Sequence, residues 1–206
     1  DNIFMTILGA YVLSRRDLYI RRIANLLIVF TMFFSGGLVP TYLTVKELGL
    51  IDSRLALILP VAINTWNLII LRTSIEGLPQ SLVESARIDG ANDAIILFRI
   101  VIPLVKATIA VLVLYYTVGH WNSWVNAMLY IKDREKYPLQ LILREILIEN
   151  TSNAATQSVG NLSEIDQYKQ LVKYCTTMIA TAPILCIYPF LQKYFVKGVM
   201  IGAVKG

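Results

Sequence analysis

Charge is scarce in this chain. Only 16% of its 206 residues are Asp, Glu, Lys or Arg, against roughly a quarter in an ordinary soluble domain. Histidine occurs once, at His120, and cysteine twice, at Cys175 and Cys186 inside one apolar run. Two such cysteines exclude a disulfide framework, and a Cys in apolar surroundings is ordinarily a small hydrophobe. A single His without a Cys pair at metal spacing leaves no zinc design. There is no phosphate-binding loop ending in Gly-Lys-Ser or Gly-Lys-Thr, no Gly-x-Ser-x-Gly elbow, and no carboxylate pair arranged for acid–base work. The chain therefore reads as a non-enzyme that binds no cofactor or metal and takes its energy from elsewhere. A secretory leader is also missing. The first thirteen residues read instead as the tail of an apolar helix whose natural beginning is absent. No internal repeat or low-complexity stretch occurs.

What is present is apolar surface. The chain is 56% hydrophobic, with a mean hydropathy of +0.59. The net charge of +5 does not point to nucleic acid, because Lys and Arg bracket the apolar runs instead of forming a stripe. That is the membrane pattern. A hydrocarbon core about 30 Å thick takes about 20 apolar residues to cross. Residues 3–14 are too short and count as the end of one span; 23–45, 55–71, 107–131 and 174–192 are read as complete spans. The expected fold is all-α, a polytopic helical bundle forming one transmembrane domain over residues 1–206. Gly36, Gly37 and Pro40 interrupt the first complete span, and such breakers are tolerated where neighbouring helices satisfy the backbone.

Orientation follows from charge. With residues 15–22, Arg72 and the loop at 73–106, and the tail on one side, that side carries 11 of the 19 Lys and Arg. Short connections on the other side carry 2, and the remaining 6 lie in the long loop 132–173, where topology signals are weak. The loop at 73–106 and both termini are thus expected in the cytoplasm. Within 132–173, Leu139, Ile142, Leu143, Ile146 and Leu147 recur at helical spacing and predict an amphipathic helix. Asn150-Thr-Ser and Asn161-Leu-Ser match a glycosylation tripeptide that arises often by chance.

The most informative stretch is polar and lies between apolar runs. Glu84, Ser85, Ala86, Arg87 and Asp89 suit a short helix, and Gly90 supplies a sharp turn. A second amphipathic segment from 91 to 102 carries Ile95, Ile96, Phe98 and Ile100. Pro103 suits the first turn of a following helix. The whole reads as a helix-turn-helix knuckle between membrane helices.

The pattern Glu84-x-Ala86, three residues, Gly90, nine residues, Ile100-x-Ile102-Pro103 resembles the EAA motif of binding-protein-dependent ABC importer permeases. That motif reads Glu-Ala-Ala, three residues, Gly, nine residues, Ile-x-Leu-Pro; Ser85 and Ile102 depart from it by side chains of similar size. Ala10-Tyr11-x-x-Ser14-Arg15, Leu38-Val-Pro-Thr-Tyr-Leu, Leu48-Gly-Leu-Ile-Asp, Trp121-Asn122 and the ending from Lys197 to Gly206 are similar to the carbohydrate-uptake, maltose-permease-like branch. Tyr188-Pro-Phe-Leu-Gln-Lys-Tyr-Phe-Val-Lys-Gly looks like its LplC/YtcP oligosaccharide group.

The resemblance implies a type I importer fold in the bacterial plasma membrane, with about six helices in the whole protein. It implies partners: an ATPase dimer that holds ATP and Mg, a second and different permease, and an extracytoplasmic sugar-binding protein facing 132–173. The knuckle becomes the coupling helix seated in the ATPase. By position, Glu84 would pair with a basic group there, Ala86 would allow close approach, and Gly90 would make the bend. Ser85 stands at the second position of the motif. Arg87 and Asp89 would be rim contacts. Ile100, Ile102 and Pro103 would fix the second arm to its membrane helix.

Polar groups inside a membrane often face a cavity. Asn64, Asn67, Asn122 and Asn126 are therefore candidates for sugar hydroxyls, with Trp66 and Trp121 to stack on sugar rings and Trp124 beside them. The same residue types also form interfacial belts and helix bridges. His120 reads as a packing or interface residue before it reads as a proton relay. Two alternatives stand beside sugar import: a permease for another solute, and a gradient-driven secondary transporter, whose usual intramembrane charges are absent from these complete spans. A membrane scaffold that transports nothing is a third class.

Overall fold

The computed structural model describes the backbone of residues 2–15, 17–156 and 162–203, and side chains within 2–15, 17–149 and 168–189. The side chains of Asn150, Asn161 and the basic tail lie outside the described residues. Among those described there are helices and no strand.

The sequence's apolar runs become helices, but three of them are not straight. The run expected as one span at 23–45 is two helices, α2 (Arg21–Phe33) and α3 (Leu38–Glu47), bent by 114°. The break has a local cause. Phe34 turns extended (φ −116°, ψ 112°) and Gly37 sits at φ +84°, a backbone region closed to most residues with a side chain. Next, α4 (Leu55–Ile58) with the 3₁₀ turn Leu59–Val61 meets α5 (Thr65–Glu76) at 50°, with Pro60 just before the break. After the knuckle, α9 (Lys106–Trp121) and α10 (Trp124–Tyr130) divide the expected span 107–131 at Asn122 and Ser123. Among the described residues one helix is long and apolar enough to cross a membrane alone, and up to four spans result if the two bent pairs α2 with α3 and α4 with α5, and a third of Asp93–Leu104 with α9, are each counted as one.

The last span is longer than its apolar run suggests. It belongs to α12 (Leu162–Ala203), which continues through Pro183 and Pro189. Its apolar stretch, Tyr168–Pro189, has a mean hydropathy of 1.4 and is almost wholly exposed, as befits a surface that meets lipid or another apolar subunit. Cys175 and Cys186 are free and exposed along it. Much of 132–173 is helical and not loop: a 3₁₀ turn at Arg134–Lys136, α11 (Leu139–Thr156) and the start of α12. The expected helix in this segment is present, but its buried residues are Leu141 and Leu143, on different sides, while Leu139 and Ile146 are exposed. Apolar residues surround α11 too evenly for a single stripe to decide what it buries.

The main core forms where α1 (Asn2–Ser14), α5, the knuckle and α9 meet, around Ala10, Leu68, Leu71, Ile96, Val101, Val105 and Leu112. α1 lies close to α5 because Gly9 has no side chain; a Cβ there would come 3.0 Å from Leu68 Cδ1. A smaller cluster of Val45, Ala56 and Tyr130 joins α3, α4 and α10, with Tyr42 stacked on Tyr130 at 6.1 Å. Beside it, Arg144 of α11 lies over the Trp124 ring at 3.6 Å.

A polar knot ties the ends of these elements together. Asp52, at φ +63°, a region Asp tolerates better than most, accepts from the N–H groups of Lys132 and Asp133 at 3.0 Å. It also pairs with Lys136 Nζ at 2.9 Å, and its own N–H donates to Tyr130 O at 2.7 Å. The Asp133 N–H, with the Lys136 ammonium and the Lys132 N–H behind it, holds the Asp52 carboxyl down at about 2. Because that value lies below the ordinary 3.8, the contribution is complete above pH ~4 and lost as pH falls toward 2. Amide protection at residues 50–53 and 131–136, taken relative to the intrinsic exchange rate at each pH, is expected to fall over that interval. In Asp52→Asn it is expected to be low throughout; a wild-type protection profile without a step below pH 4 would remove the knot's stabilising role.

Candidate functional site

Two polar places stand out, and α1 lies between them. The first is the knuckle. α6 (Gln80–Ile88) ends in a Schellman turn: the N–H of Ala91 donates to Ala86 O at 2.9 Å and that of Gly90 to Arg87 O at 3.0 Å. Such a turn needs a left-handed residue after the cap, and Gly90 is at φ +80°. It also brings the third-last and second-following residues together, and Ala86 and Ala91 both pack on the main core. α3 closes with the same pair of bonds, from Gly49 to Lys46 and from Leu50 to Val45.

The turn leaves one face of α6 outward. Glu84, Ser85 and Asp89 are exposed, and the Ser85 hydroxyl donates back to Ser81 O. Ile88, at 85% exposure, is the most conspicuous group on this face, with Leu82 also exposed. Neither was singled out from sequence, although Ile88 lies within the motif. A large apolar side chain left outside on an otherwise polar helix was the available signal.

The second arm starts with α7 (Asp93–Ile95), capped by Asn92 Oδ1, which accepts from the Ile95 N–H at 2.8 Å. It continues as a π-helical stretch, Ile96–Val101, into α8 (Ile102–Leu104). The wider π turns precede Pro103, where a tight turn would drive the ring into the carbonyl four residues back. This shifts the buried face. Ile96, Leu97, Val101 and Val105 enter the core, whereas Ile95 and Phe98, expected on the apolar face, point outward. Ile100 and Ile102 are half-buried and Pro103 is exposed. Pro103 also does not open the membrane helix: the arm Asp93–Leu104 meets Lys106–Trp121 at 83°, the break falling at Val105.

Four charges clasp this loop to the end of α1. Arg15 reaches Asp93 through Nη1 and Asp17 through Nη2 and Nε. Arg87 lies 3.5 Å from Asp17 and 3.7 Å from Asp93, and the Tyr11 hydroxyl donates to Asp93 at 3.4 Å. Hydrogen bonding from Arg15 holds the Asp17 carboxyl at about 2 and raises Arg15 itself. Arg87, expected as a rim contact for a partner, thus faces the chain's own acids. Nearby, Glu76 pairs with Arg21 and Arg72. A recess of about 260 Å³ opens here, lined in part by Arg15, Glu76, Glu84 and Arg87.

The second place is a cavity of about 890 Å³ where α4 and α5 break. Asn64, Trp66, Asn67 and Asn126 line it together, with Tyr115, Tyr116 and His120. Asn64 caps α5, its Oδ1 accepting from the Asn67 N–H at 3.1 Å, and its own N–H donates to Tyr116 Oη at 3.1 Å. Tyr116 is 2.7 Å from the buried Thr6 hydroxyl, which donates to Asn2 O. Asn2 Nδ2 donates to Val61 O at 2.9 Å and to His120 Nε2 at 3.0 Å. These bonds replace the backbone pairs that the helix break removes. Asn2, Thr6 and Tyr116 escaped sequence reasoning because their pairing spans more than a hundred positions.

Trp121 and Asn122 do not line this cavity. The Trp121 indole donates to Ala180 O at 2.9 Å, fastening α9 to α12, and Trp121 borders an adjoining recess of about 490 Å³ that shares Asn2, Tyr116 and His120 with the cavity. Asn122 is exposed and caps α9 through its backbone.

A family model described as "Binding-protein-dependent transport system inner membrane component" matches residues 3–201. Among similar proteins, the polygalacturonan/rhamnogalacturonan transport system permease protein YtcP of Bacillus subtilis is 47% identical over 100% of this chain and 71% of its own length. Protein LplC of the same organism is 46% identical over 99% of this chain and 68% of its own. A crystal structure of a bacterial ABC transporter involved in the import of the acidic polysaccharide alginate aligns with a TM-score of 0.82 and 31% identity, covering 94% of this chain and 69% of that one.

Replacing Tyr116 by Phe removes the hydroxyl that joins Thr6 to Asn64. A loss of about 1 kcal/mol is expected, read as a lower midpoint of thermal unfolding in detergent. Thr6→Val should act through the same bond, so the double variant is expected to lose less than the two single losses together. Fully additive losses would show that the network is not a unit.

Proposed function

The chain belongs to the family of binding-protein-dependent transport system inner membrane components, and on that premise we propose that it is a permease subunit of an ATP-driven importer of sugars or oligosaccharides. The reading is carried by one observation: one face of α6 stands outside the chain's own core, held by the Gly90 turn, with Ile88 and Glu84 exposed on it. A short helix of this kind suits a groove on a soluble subunit, with Ile88 in the apolar floor and Glu84 against a basic group. The partner so received is an ATPase dimer, which would hold ATP and Mg and do the hydrolysis. A second permease and an external binding protein complete the assembly.

The cavity supplies the other half. Amide and phenol groups with an exposed indole suit a hydroxylated ring, which hydrogen-bonds at its edge and stacks on its face. Asn64, Trp66, Asn67 and Asn126 are the residues proposed to meet it. Closure of the ATPases would move the knuckle, and the permease would alternate between cavity openings to either side, a two-state device biased by the partner's nucleotide. The knuckle and C-terminus lie on the cytoplasmic side in this reading. Oligosaccharides are the favoured class, and pectin-derived ones come first because the YtcP relative carries polygalacturonan and rhamnogalacturonan in its name.

The test is ATP hydrolysis by the complex reconstituted with its binding protein, measured against a panel of oligosaccharides. Sugar-stimulated hydrolysis is expected in the wild type. Glu84→Lys and Ile88→Asp are each expected to lower ATPase association at least tenfold, the order of a lost interface anchor. Stimulation only by an amino acid or an ion would replace the sugar reading with another solute. Failure of any ATPase to associate would remove the coupling role.

A further inference from the structure

α1 touches both functional places. At one end, Asn2 and Thr6 hold the cavity lining through Val61, Tyr116 and His120. At the other, Tyr11 and Arg15 hold the knuckle through Asp93. Between them the helix is unbroken for 13 residues, about 20 Å at 1.5 Å per residue. Its middle is pressed on α5 at Gly9.

The charge cluster sits where such a rod would be driven. Arg87 is on the first arm of the knuckle and Asp93 on the second, and both face Arg15 and Asp17 beyond α1. Two positive and two negative groups balance. Each pair is partly exposed, with side chains 26% to 51% accessible, and exposed pairs add little to stability. Their geometry is more specific than their strength. Arg15 uses its fork to hold two carboxylates from different segments, which a lysine cannot reproduce. Beside this clasp, the arms join α1 through the Tyr11 hydroxyl bond to Asp93 and through apolar contacts in the main core.

We propose that the Arg15–Asp17–Arg87–Asp93 cluster is a positioning device that locks the knuckle to α1, so that a displacement of α6 moves α1 as a rod and rearranges the cavity at Asn2 and Thr6. The inference rests on the importer reading above, and it assigns Arg15 and Asp93 a role in transmission, away from both ATPase and sugar.

The test uses the assembled complex with its binding protein. Arg15→Gln and Asp93→Asn are expected to keep ATPase association and basal hydrolysis. Sugar-stimulated hydrolysis and vesicle transport should fall roughly tenfold, within the range of coupling between sites. Arg15→Lys should recover little, because an ammonium does not span both carboxylates. Stimulation within twofold of wild type in either single variant overturns the proposal. Loss of ATPase association in the single variants does so too, since it would make these residues interface contacts. An Arg15→Lys variant that matches the wild-type response has the same consequence. A wild-type complex that ignores every sugar is a different failure: it removes the sugar reading above, whereas failure of any ATPase to associate removes the importer reading.

Discussion

A helix inside a bilayer must satisfy every backbone polar group from within, because no water is there to do it. This chain breaks its helices repeatedly, and much of its architecture follows from repairing the breaks. At 62–64 the repair is made by side chains from two other helices: Asn2 takes the Val61 carbonyl and Tyr116 the Asn64 amide. The same groups then line a cavity. Polarity required by the backbone and polarity useful to a hydroxylated ligand are supplied by one set of residues. The broken helix therefore has a use that a straight one lacks.

The knuckle obeys the opposite constraint. It lies where water can reach it, so it is shaped by how a helix stops. Ala86, Gly90 and Ala91 occupy the positions that a Schellman turn fixes relative to each other, and Ile88 and Asp89 between them are left to face outward. A motif with invariant-looking spacing is here the record of hydrogen-bond geometry at a helix terminus. The π-helical stretch before Pro103 then sets which residues of the second arm reach the core.

These differences decide what was legible in the sequence. The all-α membrane class was visible in charge-free runs, and the knuckle in its spacing, because both depend on neighbours along the chain. The Gly90 turn was legible for the same reason. Less accessible were events that depend on a single dihedral angle or on distant partners. Gly36 and Gly37 announced an interruption, but a bend of 114° depends on the angle Gly37 adopts. Ile95 and Phe98 fit a regular amphipathic pattern that the π turns displace. The bond from the Trp121 indole N–H to Ala180 was equally out of reach, because its partner lies 59 positions away. Asn64, Trp66, Asn67 and Asn126 do converge, and nothing local revealed that Thr6 and Tyr116 would stand behind them.

The two thiols carry a practical consequence. Cys175 and Cys186 are the two cysteines of the sequence, and both lie on the apolar stretch of α12 and not on the knuckle. A single cysteine placed on the outward face of α6 would give a water-soluble maleimide dye a target on the surface proposed to dock. The docking and undocking of the knuckle then become something that fluorescence can follow in real time.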